Sequence, residues 1–184
     1  MRKGVIFDIG GVLAHDVWEH LLLRVPDGIA FKYSLSREAV REVGERLWKK
    51  FDKRKATPSV DWASLEKIYW GEFKREFTQL PGSVTVEALI AMSIDFIQPV
   101  NAEEMEPVLE RLHANGVGLA ICSNNNEFWF RRQWDKLQLD RFFPDDKVVL
   151  SCREGVTKDD VKLFHIAATK LGLQAQHCVF IDDR

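Results

Sequence analysis

Four short apolar segments, Gly4 to Ile9, Val117 to Cys122, Lys147 to Ser151 and Cys178 to Ile181, show no strict alternation of polar with apolar residues. Strands covered on both faces read this way, whereas a strand with one wet face alternates. Between them lie patterns of helical period. Glu103 to Asn115 puts Met105, Val108, Leu109 and Leu112 on one face, with Pro107 expected in the first turn and Asn115-Gly116 as the C-cap. Asp159 to Leu171 does the same with Val161, Phe164, Ala168 and Leu171, and stops at Gly172. Strand alternating with helix predicts an α/β fold on a parallel Rossmann-like sheet with helices on both faces.

The interval between the first and second segments is too long for a simple crossover and carries helical patterns of its own. Val40, Val43, Leu47 and Phe51 follow the capping candidate Ser36, and Trp62, Tyr69, Phe73 and Phe77 follow Asp61. Pro26-Asp27-Gly28, Pro58 and Pro81-Gly82 punctuate the interval without forming a flexible linker. The chain is therefore expected to divide into an α/β core, residues 1–14 and 97–184, and a helical insertion, residues 15–96.

In a parallel α/β sheet ligands bind outside the carboxyl ends of the strands. Four sets of residues fall there: Asp8, Ser123 with Asn124, Ser151, and Asp182 with Asp183. If the first and last strands are neighbours, Asp8, Asp182 and Asp183 converge, and carboxylates that close together repel unless a cation sits among them. Oxygen donors of this kind suit Mg²⁺, which commonly binds through one or two carboxylates plus a substrate phosphate. Ser123 and Asn124 stand where a strand turns toward a helix starting near Asn126, so a hydroxyl and free backbone amides there would suit phosphoryl oxygens. Lys158 adds a fixed positive charge. Carboxylate, metal, hydroxyl and lysine together are what phosphoryl transfer requires, with an aspartate able to act as the nucleophile.

Bulk properties point to a small substrate. With 46% hydrophobic and 29% charged residues and a formal net charge of -2, the chain exerts no general attraction on nucleic acid or an anionic membrane. Cys122, Cys152 and Cys178 form no CxxC pair and no zinc-spaced cluster with histidine, which fits a reducing cytoplasm. The first apolar run is too short for a signal peptide, and no later run reaches the length of a membrane span. The basic run from Lys49 to Lys55 includes Asp52 and reads as a solvated helix end.

The order FDIGGVL, ICSNNN, Lys158 in EGVTKDD, then VFIDD resembles the four motifs of the haloacid dehalogenase superfamily of hydrolases. The resemblance extends over essentially the whole chain, with the helical insertion similar to that superfamily's cap. It implies Asp8 as nucleophile, Ser123 as the phosphate-binding hydroxyl, Lys158 as charge stabiliser, and Asp182 and Asp183 as Mg²⁺-binding acids. The family also draws a metal ligand from the backbone carbonyl at the position of Gly10, which glycine retains.

Two positions depart from the family pattern. Phosphatases of the family usually carry a second aspartate where this chain has Gly10, and a positioned acid is typically worth about 10² to 10⁴ in rate. A subgroup with an FD-x-G-x-V-type motif also lacks it. His15 and Asp16 are candidates to replace that acid, the alternative being solvated loop residues. Arg184 follows the last motif directly, so the C-terminal part of the family fold is expected to be missing. The leading expectation is a cytoplasmic Mg²⁺-dependent phosphohydrolase acting on a small phosphorylated metabolite through an aspartyl-phosphate. The alternatives are a catalytically impaired phosphate- or protein-binding module and a metal-independent dehalogenase-type hydrolase, the latter opposed by the Asp182-Asp183 pair.

Overall fold

The computed structural model describes residues 3–52 and 60–183. Lys53, Arg54 and Lys55 of the basic run, Pro58 and Arg184 lie outside the described residues, as does the side chain of Phe51. Four strands, β1 (Gly4–Phe7), β2 (Gly118–Ser123), β3 (Val148–Leu150) and β4 (Cys178–Ile181), form one parallel sheet in the order β3-β2-β1-β4. Phe7 is in register with Ile121 of β2 and Ile181 of β4, so the chain leaves both β1 and β4 toward the same edge at the next residue.

Helices cover both faces of this sheet. On one face Phe7, Leu119, Ile121 and Val148 pack with Leu109 of α6 (Ala102–Ala114) and with Phe130 and Trp134 of α7 (Glu127–Leu137). On the other, Ile6, Ala120, Cys122 and Val149 meet Leu163, Ala167 and Ala168 of α9 (Lys162–Lys170). The alternation of side chains along β1 explains why Ile6 and Phe7 serve different layers. A short helix, α8 (Ser151–Glu154), follows β3 directly.

The described residues between Asp16 and Ile97 make a second compact unit, and the residues up to His15 and from Gln98 onward make the first. The second unit contains α1 (Val17–Leu23), α2 (Ile29–Lys32), α3 (Arg37–Asp52), α4 (Trp62–Glu76) and α5 (Val86–Asp95). Ser36 and Asp61 cap α3 and α4 as their sequence positions suggest, accepting from Ala39 N–H at 3.3 Å and Ser64 N–H at 3.1 Å. Leu47, Trp70, Phe73 and Leu89 are fully buried in it, and Trp18 touches Trp48, Tyr69 and Trp70 at ring separations of 4.9, 4.8 and 5.4 Å. Helical spacing thus made these aromatics a core.

Several element boundaries differ from those read in the sequence. β1 stops at Phe7 rather than Ile9, because the Ile9 carbonyl accepts the amides of Val12, Leu13 and Ala14 in a tight turn. Lys147 belongs to a preceding 3-10 turn, and Ser151 opens α8. Pro107 lies in the second turn of α6, and Val108 is 45% exposed, so the buried face of that helix rests on Leu109. In α9 the helix starts only at Lys162, where Asp160 Oδ1 accepts the Lys162 N–H at 2.8 Å. That leaves Val161 on the surface at 61% exposure and turns Leu163 into the core.

Candidate active site

The register of the central strands places the acids. Asp8 follows Phe7, and its N–H donates to the Ile181 carbonyl at 2.9 Å, extending the β1–β4 ladder by one rung. Asp182 follows Ile181. The carboxylates of Asp8, Asp182 and Asp183 each offer one oxygen within 4.8 Å of the others. Asp8 Oδ1 accepts the Ile9 N–H at 2.7 Å, while Oδ2 lies 2.7 Å from Lys158 Nζ. The same ammonium donates to Asp182 Oδ2 at 2.6 Å. Lys158 and Asp8 keep only 13% of their side-chain surface exposed and Asp182 keeps 23%, so water screens these contacts incompletely. One ammonium thus bridges two of the three carboxylates. Three carboxylates gathered as hard oxygen donors fit a divalent cation such as Mg²⁺.

Two adjacent glycines shape this edge differently. Gly11 has φ of +75°, and a β-carbon there would run into the carboxylate of Asp183. Only glycine meets both conditions. A β-carbon at Gly10 would meet nothing within 4 Å. The turn is closed by the Gly11 N–H donating to Ala14 O at 2.8 Å.

On the other side, Ser123 is the last residue of β2 and only 4% exposed. Asn124 Oδ1 accepts the backbone N–H of Lys158 at 2.8 Å, which ties the β2 end to the segment carrying the lysine. Sequence reasoning expected free amides before α7. Two of them are engaged instead: Asn125 N–H donates to Ser151 Oγ at 3.1 Å, and Asn126 N–H to Asn125 Oδ1 at 2.9 Å. Asn126 Oδ1 in turn caps α7 through Trp129 N–H at 2.8 Å. Asp16 caps α1, its Oδ1 accepting from Trp18 and Glu19 N–H at 3.0 and 3.3 Å, which is a structural use of that acid. The N–H of His15 donates to Gln98 O at 3.0 Å.

Sequence reasoning gave no role to Asn125 and Gln133, and left Ser151 as a strand-end residue without a task. A signal for Gln133 was present, since it is a polar residue among Trp129, Phe130 and Trp134 on the buried face of α7. Cys122 is 1% exposed, and burial pushes its thiol up to about 12, with Lys158 pulling it down and Asp8 and Asp182 pushing it up. A thiol held that far from its thiolate is no nucleophile.

A parallel sheet that gathers an aspartate, a lysine and further acids at neighbouring strand ends has the makings of a hydrolytic α/β core. Residues 2–184 match the family model for haloacid dehalogenase-like hydrolases. The chain belongs to that family. Its fold is similar to a dehalogenase crystal structure, with a TM-score of 0.69 at 16% identity, covering 100% of this chain and 77% of the other. It is also similar to the structure of a HAD phosphatase from Thermococcus onnurineus, with a TM-score of 0.54 at 23% identity over 99% of this chain and 77% of that one. Among curated proteins, acyl-CoA dehydrogenase family member 10 of Mus musculus is 28% identical over 187 residues. That match covers 98% of this chain, which spans only 16% of the length of the mouse protein. Among the described residues, no helix is long and apolar enough to cross a membrane.

Proposed function

We propose that this hydrolase is a Mg²⁺-dependent phosphohydrolase acting on a small phosphorylated metabolite through an aspartyl-phosphate on Asp8. The observation that carries this reading is the meeting of Asp8, Asp182 and Asp183 at one sheet edge, where the ammonium of Lys158 pairs with Asp8 and Asp182. A metal-independent displacement needs no surplus of acids at the nucleophile, whereas a divalent cation does. In this reading residues 1–14 and 97–184 are the catalytic core and 15–96 the cap, which selects the substrate.

The Asp8 carboxylate attacks phosphorus in line with the ester oxygen, forming the Asp8 O–P bond as the P–O bond to the leaving group breaks. Lys158 neutralises charge on the phosphoryl oxygens, and Ser123 with Asn124 holds them. The departing alkoxide takes its proton from solvent, because Gly10 supplies none. Water then cleaves the acyl phosphate and restores Asp8. Asp8, Asp182, Asp183 and the Gly10 carbonyl would hold Mg²⁺, which supplies further charge neutralisation to the phosphoryl group.

A second reading has its own observation. Lys158 pairs with both Asp8 and Asp182, and position 10 is a glycine rather than an acid. Halide needs no proton to leave, so the same aspartate would then displace halide from carbon. One comparison separates the two: turnover of a phosphate ester panel and of a 2-haloacid, with Mg²⁺ and with chelator, for the wild type and Asp8→Asn. Phosphate release that vanishes with chelator and in Asp8→Asn is the expected result. Halide release indifferent to chelator would replace the phosphohydrolase reading with the second. No turnover of either class would leave a binding module.

A further inference from the structure

Among the described residues of the first unit, the buried polar side chains Ser123, Asn126, Gln133 and Ser151 occur at the ends of β2 and β3 and on α7. Asn125 links three of these elements. Its N–H donates to Ser151 Oγ at 3.1 Å and its carbonyl accepts from the same hydroxyl at 3.1 Å, so one fully buried serine grips both polar groups of one peptide residue. Its side-chain Nδ2 donates to Gln133 Oε1 at 2.7 Å, while Oδ1 accepts the Asn126 N–H. Buried neutral groups that complete each other in this way cost little to keep and much to break. Asn125 sits directly between Asn124, which holds the Lys158 backbone, and Asn126, which caps α7.

We propose that Ser151 and Gln133 are positioning residues: by fixing Asn125 they set the Ser123–Asn124 edge of the anion site and, through Asn124, the backbone of Lys158. Neither touches the reacting atoms. The inference rests on the phosphohydrolase reading for the identity of its ligand, a phosphoryl group, and on the geometry alone for the path to Lys158.

Four proteins test it: wild type, Ser151→Ala, Ser151→Thr and Gln133→Met, the last keeping side-chain volume while removing the acceptor. Titration with inorganic phosphate in the presence of Mg²⁺ reads the anion site, and amide hydrogen exchange at Lys158 reads the path. Ser151→Ala and Gln133→Met are expected to weaken phosphate binding about 10-fold, the scale of one hydrogen bond. Lys158 exchange should quicken in both while β1 amides stay protected, and Ser151→Thr should restore both readings. Should Ser151→Ala fail to fold, Gln133→Met carries the test. Wild-type exchange at Lys158 in both Ser151→Ala and Gln133→Met overturns the inference, as does a Ser151→Thr variant no better than alanine. Absence of phosphate binding by the wild type overturns the phosphohydrolase reading, and the exchange measurement then decides the positioning role by itself.

Discussion

The two sides of the strand-end crevice are held by different physics. At the ends of β1 and β4 the groups are charged, with the side chains of Asp8 and Asp182 keeping 13% and 23% of their surface exposed. At the ends of β2 and β3 the groups are neutral and buried, with Ser151 fully out of solvent and bonded both as donor and as acceptor. Charge acts at a distance, whereas a hydrogen bond fixes position only with close geometry. The acid side is therefore suited to supply charge and nucleophile, and the amide side to supply placement. Each can be broken separately.

The largest effect should come from the acid side. Lys158→Met removes the ammonium shared by Asp8 and Asp182, and loss of one charge-stabilising donor typically costs about 10²- to 10³-fold in kcat. Steady-state kinetics on an aryl phosphate checks this. A loss confined to KM would mean that Lys158 binds the ground state only, and that the division between charge and placement is false.

A gain is expected next, at Gly10. A β-carbon at Gly10 would meet nothing within 4 Å, which makes Gly10→Asp the substitution that reintroduces the absent acid. Alkyl phosphates, whose leaving groups need a proton, should gain about 10² in kcat/KM, and aryl phosphates much less. Equal gains on both classes would point to altered binding rather than proton donation. Gly11→Ala is the opposing control. Its left-handed backbone and its contact with Asp183 should make that variant about 1–3 kcal/mol less stable in urea unfolding, whereas Gly10→Ala stays near the wild type.

These predictions concern residues of unequal legibility. The strand-end acids stood out in the sequence because an acid directly after an apolar run is locally unusual, and the parallel order brought Asp8 and Asp182 to the same sheet edge. Ser36 and Asp61 were readable as caps because capping is a local interaction. The pairing of Asn125 with Ser151 and with Gln133 was not readable, since these partners lie just past β3 and one to two helical turns along α7, and such pairing is decided by packing even where a buried polar residue such as Gln133 stands out. The shifted face of α9 has a local cause: Asp160 Oδ1 accepts the Lys162 N–H, the helix starts at Lys162, and Leu163 faces the core where periodicity alone favoured Val161. Burial of Val108 failed likewise, because Leu109 reaches the sheet and its neighbour does not.

The smallest effect tests the neutral side through pH. Cys122, buried in β2, has its thiol pushed by burial from an ordinary 9.0 up to about 12. The native protein thus keeps a proton that the unfolded chain releases above about pH 9. The neutral thiol's contribution to stability is complete below that value and is lost as pH climbs toward about 12. A single such group gives a slope of at most about 1.4 kcal/mol per pH unit. Between about pH 8 and about pH 10 the wild type should therefore lose on the order of 1 kcal/mol more than Cys122→Ala, whose other titrating groups are the same. Urea midpoints at the two pH values measure the difference. Equal losses would mean that the thiol ionises as readily when folded as when unfolded, and that the interior behind the β2 end is wetter than the burial of the neutral Ser151 and Gln133 requires.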